Sequence, residues 1–141
     1  MERRLSFPPN AGVVRQLRGQ VRRLAAKLGA SAGACDSIAL VVDELVNNAV
    51  EHGSTYRRIN LDLTIQIDIA PEGLSIEFFD PEMPAAIVQE LARALAATAG
   101  GMPSLESERG RGLFLLSVYL QDLRAEVAPA GGLRLAGLVA Q

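Results

Sequence analysis

The chain has one cysteine, Cys35, and one histidine, His52, in 141 residues. A lone cysteine excludes an internal disulfide framework and argues against a thiolate metal site. Cys35 is expected to pack as a small apolar residue near the start of a helix. His52 lacks a second His or Cys at metal-ligand spacing, so it is expected as a helix-end or pocket-wall residue. No run is long and uninterrupted enough to span a bilayer, and the stretch from Met1 to Pro9 lacks the apolar core of a signal peptide. A cytoplasmic protein without membrane contact is the expectation. The formal charge of −2 and pI near 5.4 give no general case for direct nucleic-acid binding. The charge is uneven, because half of the 14 basic residues lie at or before Lys27, against one acid, Glu2.

With 49% hydrophobic residues and no internal repeat, residues 1–141 are expected to form one domain with a substantial core. A short strand from Arg4 to Phe7 precedes Pro8-Pro9, after which Asn10 caps a helix running to about Leu28. Val14, Leu17, Val21, Leu24 and Leu28 form its apolar seam. Arg15, Arg18 and Arg22 form a separate basic row, either a solvated face or a dock for an acidic partner. Gly29 ends this helix. Ser31 to Asp36 starts a second, which stops at His52-Gly53 with Gly53 as a left-handed cap. Leu61, Leu63, Ile65, Ile67 and Ile69 then alternate with polar residues as a half-buried strand, and Pro71-Glu72-Gly73 turns it into a partner from Leu74 to Phe79. A helix from Ile87 to Ala97, a mobile loop from Thr98 to Glu108 and a helix opening at Gly110 follow. Strands Leu123 to Val127 and Leu133 to Val139 close the chain as a second hairpin. The order β-α-α-β-β-α-α-β-β implies an α/β two-layer sandwich, with a mixed, mainly antiparallel sheet and helices on one face.

Within the second helix Glu44, Asn48 and His52 recur every four residues and share one stripe. At about 100° per residue, Ile38, Val41, Val42, Leu45, Val46 and Ala49 gather on the core face, Asn47 and Glu51 point away, and the stripe lies on the shoulder between them. That position suits a cleft edge where polar groups meet a ligand, as well as a partly solvated flank. Asn48 can offer its carbonyl oxygen to Mg²⁺, a hard ion that usually keeps water and phosphate as other partners. Glu44 can take a proton from an attacking hydroxyl. Asp80 stands where a buried strand gives way to a loop, either as acceptor for a ligand amine or in an Asp-Pro turn. Gly110-Arg111-Gly112 is either an anion-binding helix entry or a plain turn.

These residues in this order resemble the GHKL superfamily of ATP-binding proteins, above all its small branch, the bacterial anti-sigma-factor serine/threonine kinases. The run from Glu44 to Gly53 is similar to that family's N-box, and the likeness covers nearly the whole chain in element order. The resemblance implies the Bergerat ATP-binding fold and ATP with Mg²⁺ as cofactors. It implies Glu44 as catalytic base, Asn48 as Mg²⁺ ligand and Asp80 as the adenine-binding carboxylate of the first glycine box. Gly110, Arg111, Gly112 and Leu113 fall in the second box, the segment from Gly100 to Arg109 becomes the ATP lid, and Arg109 and Arg111 become phosphate contacts. The implied partners are a STAS-type anti-sigma-factor antagonist as substrate, a sigma factor to sequester and a second copy of the chain. One departure stands out. The first box normally reads Asp, any residue, Gly, whereas here Glu82 takes the glycine's place, putting a side chain where backbone passes close to the nucleotide. A catalytically degenerate module that binds a regulator is therefore the alternative.

Overall fold

Leu63, Ile65 and Ile67 alternate with Thr64, Gln66 and Asp68, so these three side chains of strand β2 (Leu63–Ala70) are buried on one face and the other face is half-exposed. The structure, a computed structural model, describes residues 3–99 and 108–141; of residues 98, 99 and 108–111 it describes the backbone alone. Around β2 lie β1 (Arg4–Phe7), β3 (Gly73–Asp80), β4 (Gln121–Val127) and β5 (Leu133–Ala140), in the spatial order β1-β2-β3-β5-β4. All four pairings are antiparallel, so the mixed sheet expected from the sequence is antiparallel throughout the described residues. β3 therefore sits at the centre. Its last residue, Asp80, pairs with Leu133 of β5.

Four helices, α1 (Val14–Lys27), α2 (Ala32–Gly53), α3 (Ala85–Ala99) and α4 (Glu108–Tyr119), cover the apolar face of this sheet as a second layer. Asn10 caps a short 3₁₀ turn, Ala11–Val13, rather than α1 directly, accepting from the Gly12 amide at 2.8 Å. The Ser31 hydroxyl accepts from the Ala34 amide at 3.1 Å and so starts α2. Cys35 is buried there, in the first turn. Of the basic row on α1, Arg18 pairs with Asp43 at 2.5 Å and Arg22 with Asp36 at 3.4 Å. Two of its three charges thus lock α1 to α2, which speaks against a dock for an acidic partner.

Several boundaries differ from those expected: α3 and β4 each begin two residues early, at Ala85 and Gln121. β2 begins at Leu63 instead of Leu61, because the Leu61 amide donates to Glu82 Oε1 at 2.7 Å and never enters the ladder. The same carboxylate accepts from the amides of Arg58 and Ile59 at 2.8 and 3.1 Å. Glu82 is thus the anchor of the segment joining α2 to β2. Burial pushes its pKa up, but these three N–H groups and Arg57 more than offset that and hold it below the ordinary glutamate value. α4 begins at Glu108, two residues before the expected entry at Gly110. The expected mobile loop and lid, from Thr98 to Arg109, fall largely outside the described residues.

Glu82→Gly is expected to leave the sheet intact while freeing the Arg58, Ile59 and Leu61 amides. Native-state hydrogen exchange should show those three amides losing protection selectively.

Candidate functional site

α2 presents the stripe as its periodicity requires: Asn47 and Glu51 are exposed, the apolar positions are buried, and Glu44, Asn48 and His52 are half-buried between them. α4 crosses this stripe through Gly112. A Cβ on Gly112 would stand 3.0 Å from Glu44 Oε2 and 3.2 Å from Asn48 Nδ2, tighter than side chains ordinarily tolerate. Gly112 is therefore needed for close approach. It lies five residues into α4, where an amide has an intrahelical acceptor, so it does not serve as the anion-binding entry first expected of it. Amides free of intrahelical acceptors are those of the first turn, which holds Arg109, Gly110 and Arg111. The side chains of Arg109 and Arg111 lie outside the described residues.

Asn48 Nδ2 is buried and finds no hydrogen-bond partner among the described residues. A buried amide left unpaired is costly, and its place against Gly112 marks a point where a polar ligand would satisfy it. Half a turn about the side-chain bond presents the carbonyl oxygen there instead, the atom a hard cation takes. Among the described residues no three His, Cys, Asp or Glu side chains converge on a metal position. An ion held by Asn48 would draw its other ligands from phosphate and water. Burial, then the charges of Asp43 and Glu51, push the Glu44 pKa above the ordinary glutamate value. A raised pKa makes the ionised carboxylate a stronger proton acceptor.

Two cavities meet at Asn48 and His52. One is an open cleft of about 700 Å³ lined by Glu44, Asn47, Asn48, Glu51, His52, Gly112 and Leu115. The other is a narrow apolar pocket of about 80 Å³ between Leu45, Ala49, Met83, Ile87, Leu91 and Leu113, with Tyr56 and His52 on its wall. Small-molecule sites usually run to roughly 300–1,000 Å³. The cleft reaches that size and the pocket does not.

Asp80 was expected at this pocket as a ligand acceptor, and here the structure departs from the expectation. Its exposure is 0%, and it is absent from the pocket lining. Oδ1 accepts from Arg57 Nη1 at 3.0 Å and from the Glu82 amide at 3.2 Å. Oδ2 accepts from the Tyr56 hydroxyl at 2.6 Å and from Arg57 Nη2 at 2.8 Å. A carboxylate offers about four acceptor positions, and all are filled from within the chain. Burial pulls the Arg57 pKa down, but the hydrogen bonds and charge of Asp80 prevail and raise it, so the guanidinium stays charged. Arg57 Nη2 also donates to the Ala49 carbonyl at 3.2 Å, and it lies where a Cβ on Gly53 would collide with it. Gly53 does not end α2 in a left-handed conformation, as expected; Ser54 caps the helix at φ −58°. A side chain at position 53 would have to displace the guanidinium. Nor does Glu82 obstruct the pocket, since its carboxylate turns toward residues 58–61. Tyr56 and Arg57 were missed from the sequence. The available signal was an aromatic–arginine pair just past a helix end, together with an aspartate ending a buried strand and needing a cation.

A family model described as histidine kinase-like ATPase domain matches residues 7–133. No protein of curated function matches in sequence. Among solved structures, the chain is similar to one in the SiaB–SiaC complex from Pseudomonas aeruginosa, with a TM-score of 0.72 and 15% identity over 96% of this chain and 88% of that one. At that identity the likeness bears on the fold alone.

Gly112→Ala is expected to displace the Glu44 and Asn48 side chains and to weaken nucleotide binding at least about tenfold with the melting transition still cooperative; calorimetric titration measures it. Asp80→Ala strands a buried guanidinium and should cost about 3–5 kcal/mol of stability, read from denaturant unfolding.

Proposed function

The chain belongs to the histidine kinase-like ATPase domain family, and from that premise we propose that it is an ATP- and magnesium-dependent protein serine/threonine kinase of the anti-sigma-factor type. One observation carries the reading: the unpaired, buried amide of Asn48 sits one helical turn from the proton-accepting Glu44, both against Gly112 on an open cleft. A cleft of this size admits a polyphosphate and a protein side chain together. A serine hydroxyl of the partner attacks the γ-phosphorus of ATP, the bond to the β–γ bridging oxygen breaks to release ADP, and Glu44 takes the hydroxyl proton. Asn48 would hold Mg²⁺, which when bound supplies charge neutralisation on the phosphates. The first-turn amides of α4 face developing negative charge, with Arg109, Gly110 and Arg111 as phosphate contacts and Leu113 on the apolar wall.

The substrate in this reading is a STAS-type anti-sigma-factor antagonist, released when phosphate adds charge at the interface. A sigma factor is the second partner, a homodimer the working form, and the cytoplasm the location, with residues 1–141 as one domain. The similarity to a chain crystallised in a protein–protein complex supports a protein partner. A second reading, a degenerate module that binds a regulator without catalysis, is favoured by the saturation of Asp80.

Transfer of labelled γ-phosphate to such an antagonist tests the first reading. Glu44→Gln should lower transfer by about 10²–10⁴-fold while nucleotide binding persists. No transfer by wild type would leave the binding module standing, and undiminished transfer by the variant would overturn the role given to Glu44. The pH profile gives a further check. Because the Glu44 pKa is raised, the basic form is lost as pH falls through a value above the ordinary glutamate one, so the rate should drop on that side. Asp43→Asn, which removes a neighbouring negative charge, should move the acidic inflection to lower pH.

A further inference from the structure

The nucleotide site described above has two ends, and the chain treats them differently. The phosphate end offers an unpaired amide, a carboxylate and an open cleft. At the other end the group that would read a base is already occupied. We infer that Arg57 is a built-in ligand of Asp80 that excludes the base from it, so that the site takes nucleoside triphosphates through their phosphates with little discrimination among bases. The inference rests on the nucleotide reading proposed above.

Four observations converge on it. First, the Asp80 carboxylate accepts four hydrogen bonds, from Arg57 twice, Tyr56 and the Glu82 amide, which leaves a base amine no lone pair. Second, the competition is unequal. An exocyclic amine is a neutral donor, whereas Arg57 is a cation held in a bidentate, charge-assisted pair. Third, the clamp is built in from both sides. Gly53 lacks the Cβ that would displace the guanidinium, and Glu82 fixes the segment after Arg57 through three backbone amides. The side chain of Arg57 is 5% exposed, so little solvent is available to receive it. Fourth, the remaining pocket is narrow, and its walls are mainly apolar. Of its polar lining, Asn48 and His52 are shared with the phosphate-end cleft, and the two hydroxyls are already committed. The Thr55 hydroxyl is used on the His52 carbonyl and the Tyr56 hydroxyl on Asp80. Apolar walls shield a base without reading its edge.

Calorimetric titration with adenosine, Mg-ATP and Mg-GTP, on wild type, Arg57→Ala and Gly53→Ala, tests this without reading phosphoryl transfer. Wild type should give no adenosine signal and should bind ATP and GTP within about threefold of each other. Arg57→Ala empties the acceptor, and adenosine binding should appear, with ATP preferred over GTP by about tenfold or more. That variant leaves a buried carboxylate unpaired. If it does not fold, Gly53→Ala carries the test, since it displaces the guanidinium without deleting it. A folded variant still silent to adenosine overturns the inference, as does wild type preferring ATP by tenfold. Wild type silent to both triphosphates, with adenosine binding gained by the variants, upholds the inference and overturns the kinase reading instead.

Discussion

A carboxylate with no solvent exposure at the end of the central strand cannot stand alone. Leaving such a charge unpaired costs several kcal/mol, about 3–5 when one partner of a buried pair is removed. In this protein Asp80 meets that demand with Arg57, and much of the local architecture follows from the choice. The guanidinium arrives from the segment just past α2, so that segment must pass over the helix end, and Gly53 must lack a side chain to let it through. Tyr56 is drawn in as a second donor and becomes a pocket wall. Glu82, two residues beyond Asp80, then ties down the following backbone. Strand β2 begins late as a result.

The opposite end of the site obeys a different constraint, that of helix approach. α4 contacts α2 at the polar stripe instead of at a purely apolar seam, and a residue larger than glycine at position 112 would force Glu44 and Asn48 aside. Close contact excludes water from one side of Asn48 without supplying a partner for it, which is why its amide is left unpaired. An unsatisfied buried polar group of this kind fits the ligand site proposed above. Thus one end of the site is completed by the chain itself, while the other is left incomplete.

Short-range periodicity made most of the fold legible. The alternation from Leu63 to Ile69 and the apolar face of α2 depend only on neighbours two to four residues away, and they hold in three dimensions. For the same reason the shoulder position of Glu44, Asn48 and His52 could be read directly. Other features depend on residues far apart in the chain. Arg57 and Asp80 are separated by 23 residues, and nothing local to either shows that they meet. The functions of Gly53 and Gly112 were misassigned because a glycine reads most simply as a turn or cap, while here both accommodate a side chain from another segment. Glu82 was read as an obstacle since its type alone was visible, and the three amides it serves were not.

Internal pairing of Asp80 also separates stability from ligation. Where a buried carboxylate relies on a base for its hydrogen bonds, the empty protein bears the desolvation cost and ligand binding relieves it, so folding and nucleotide are linked. Here the cost is offset whether or not nucleotide is present. On the proposed nucleotide reading, what remains linked is the polar end, where phosphate or metal arriving at the uncompensated Asn48 amide would stabilise the fold. In that reading the base would contribute through apolar contact alone. A site built this way would sense the presence of a polyphosphate more than the identity of the nucleoside that carries it.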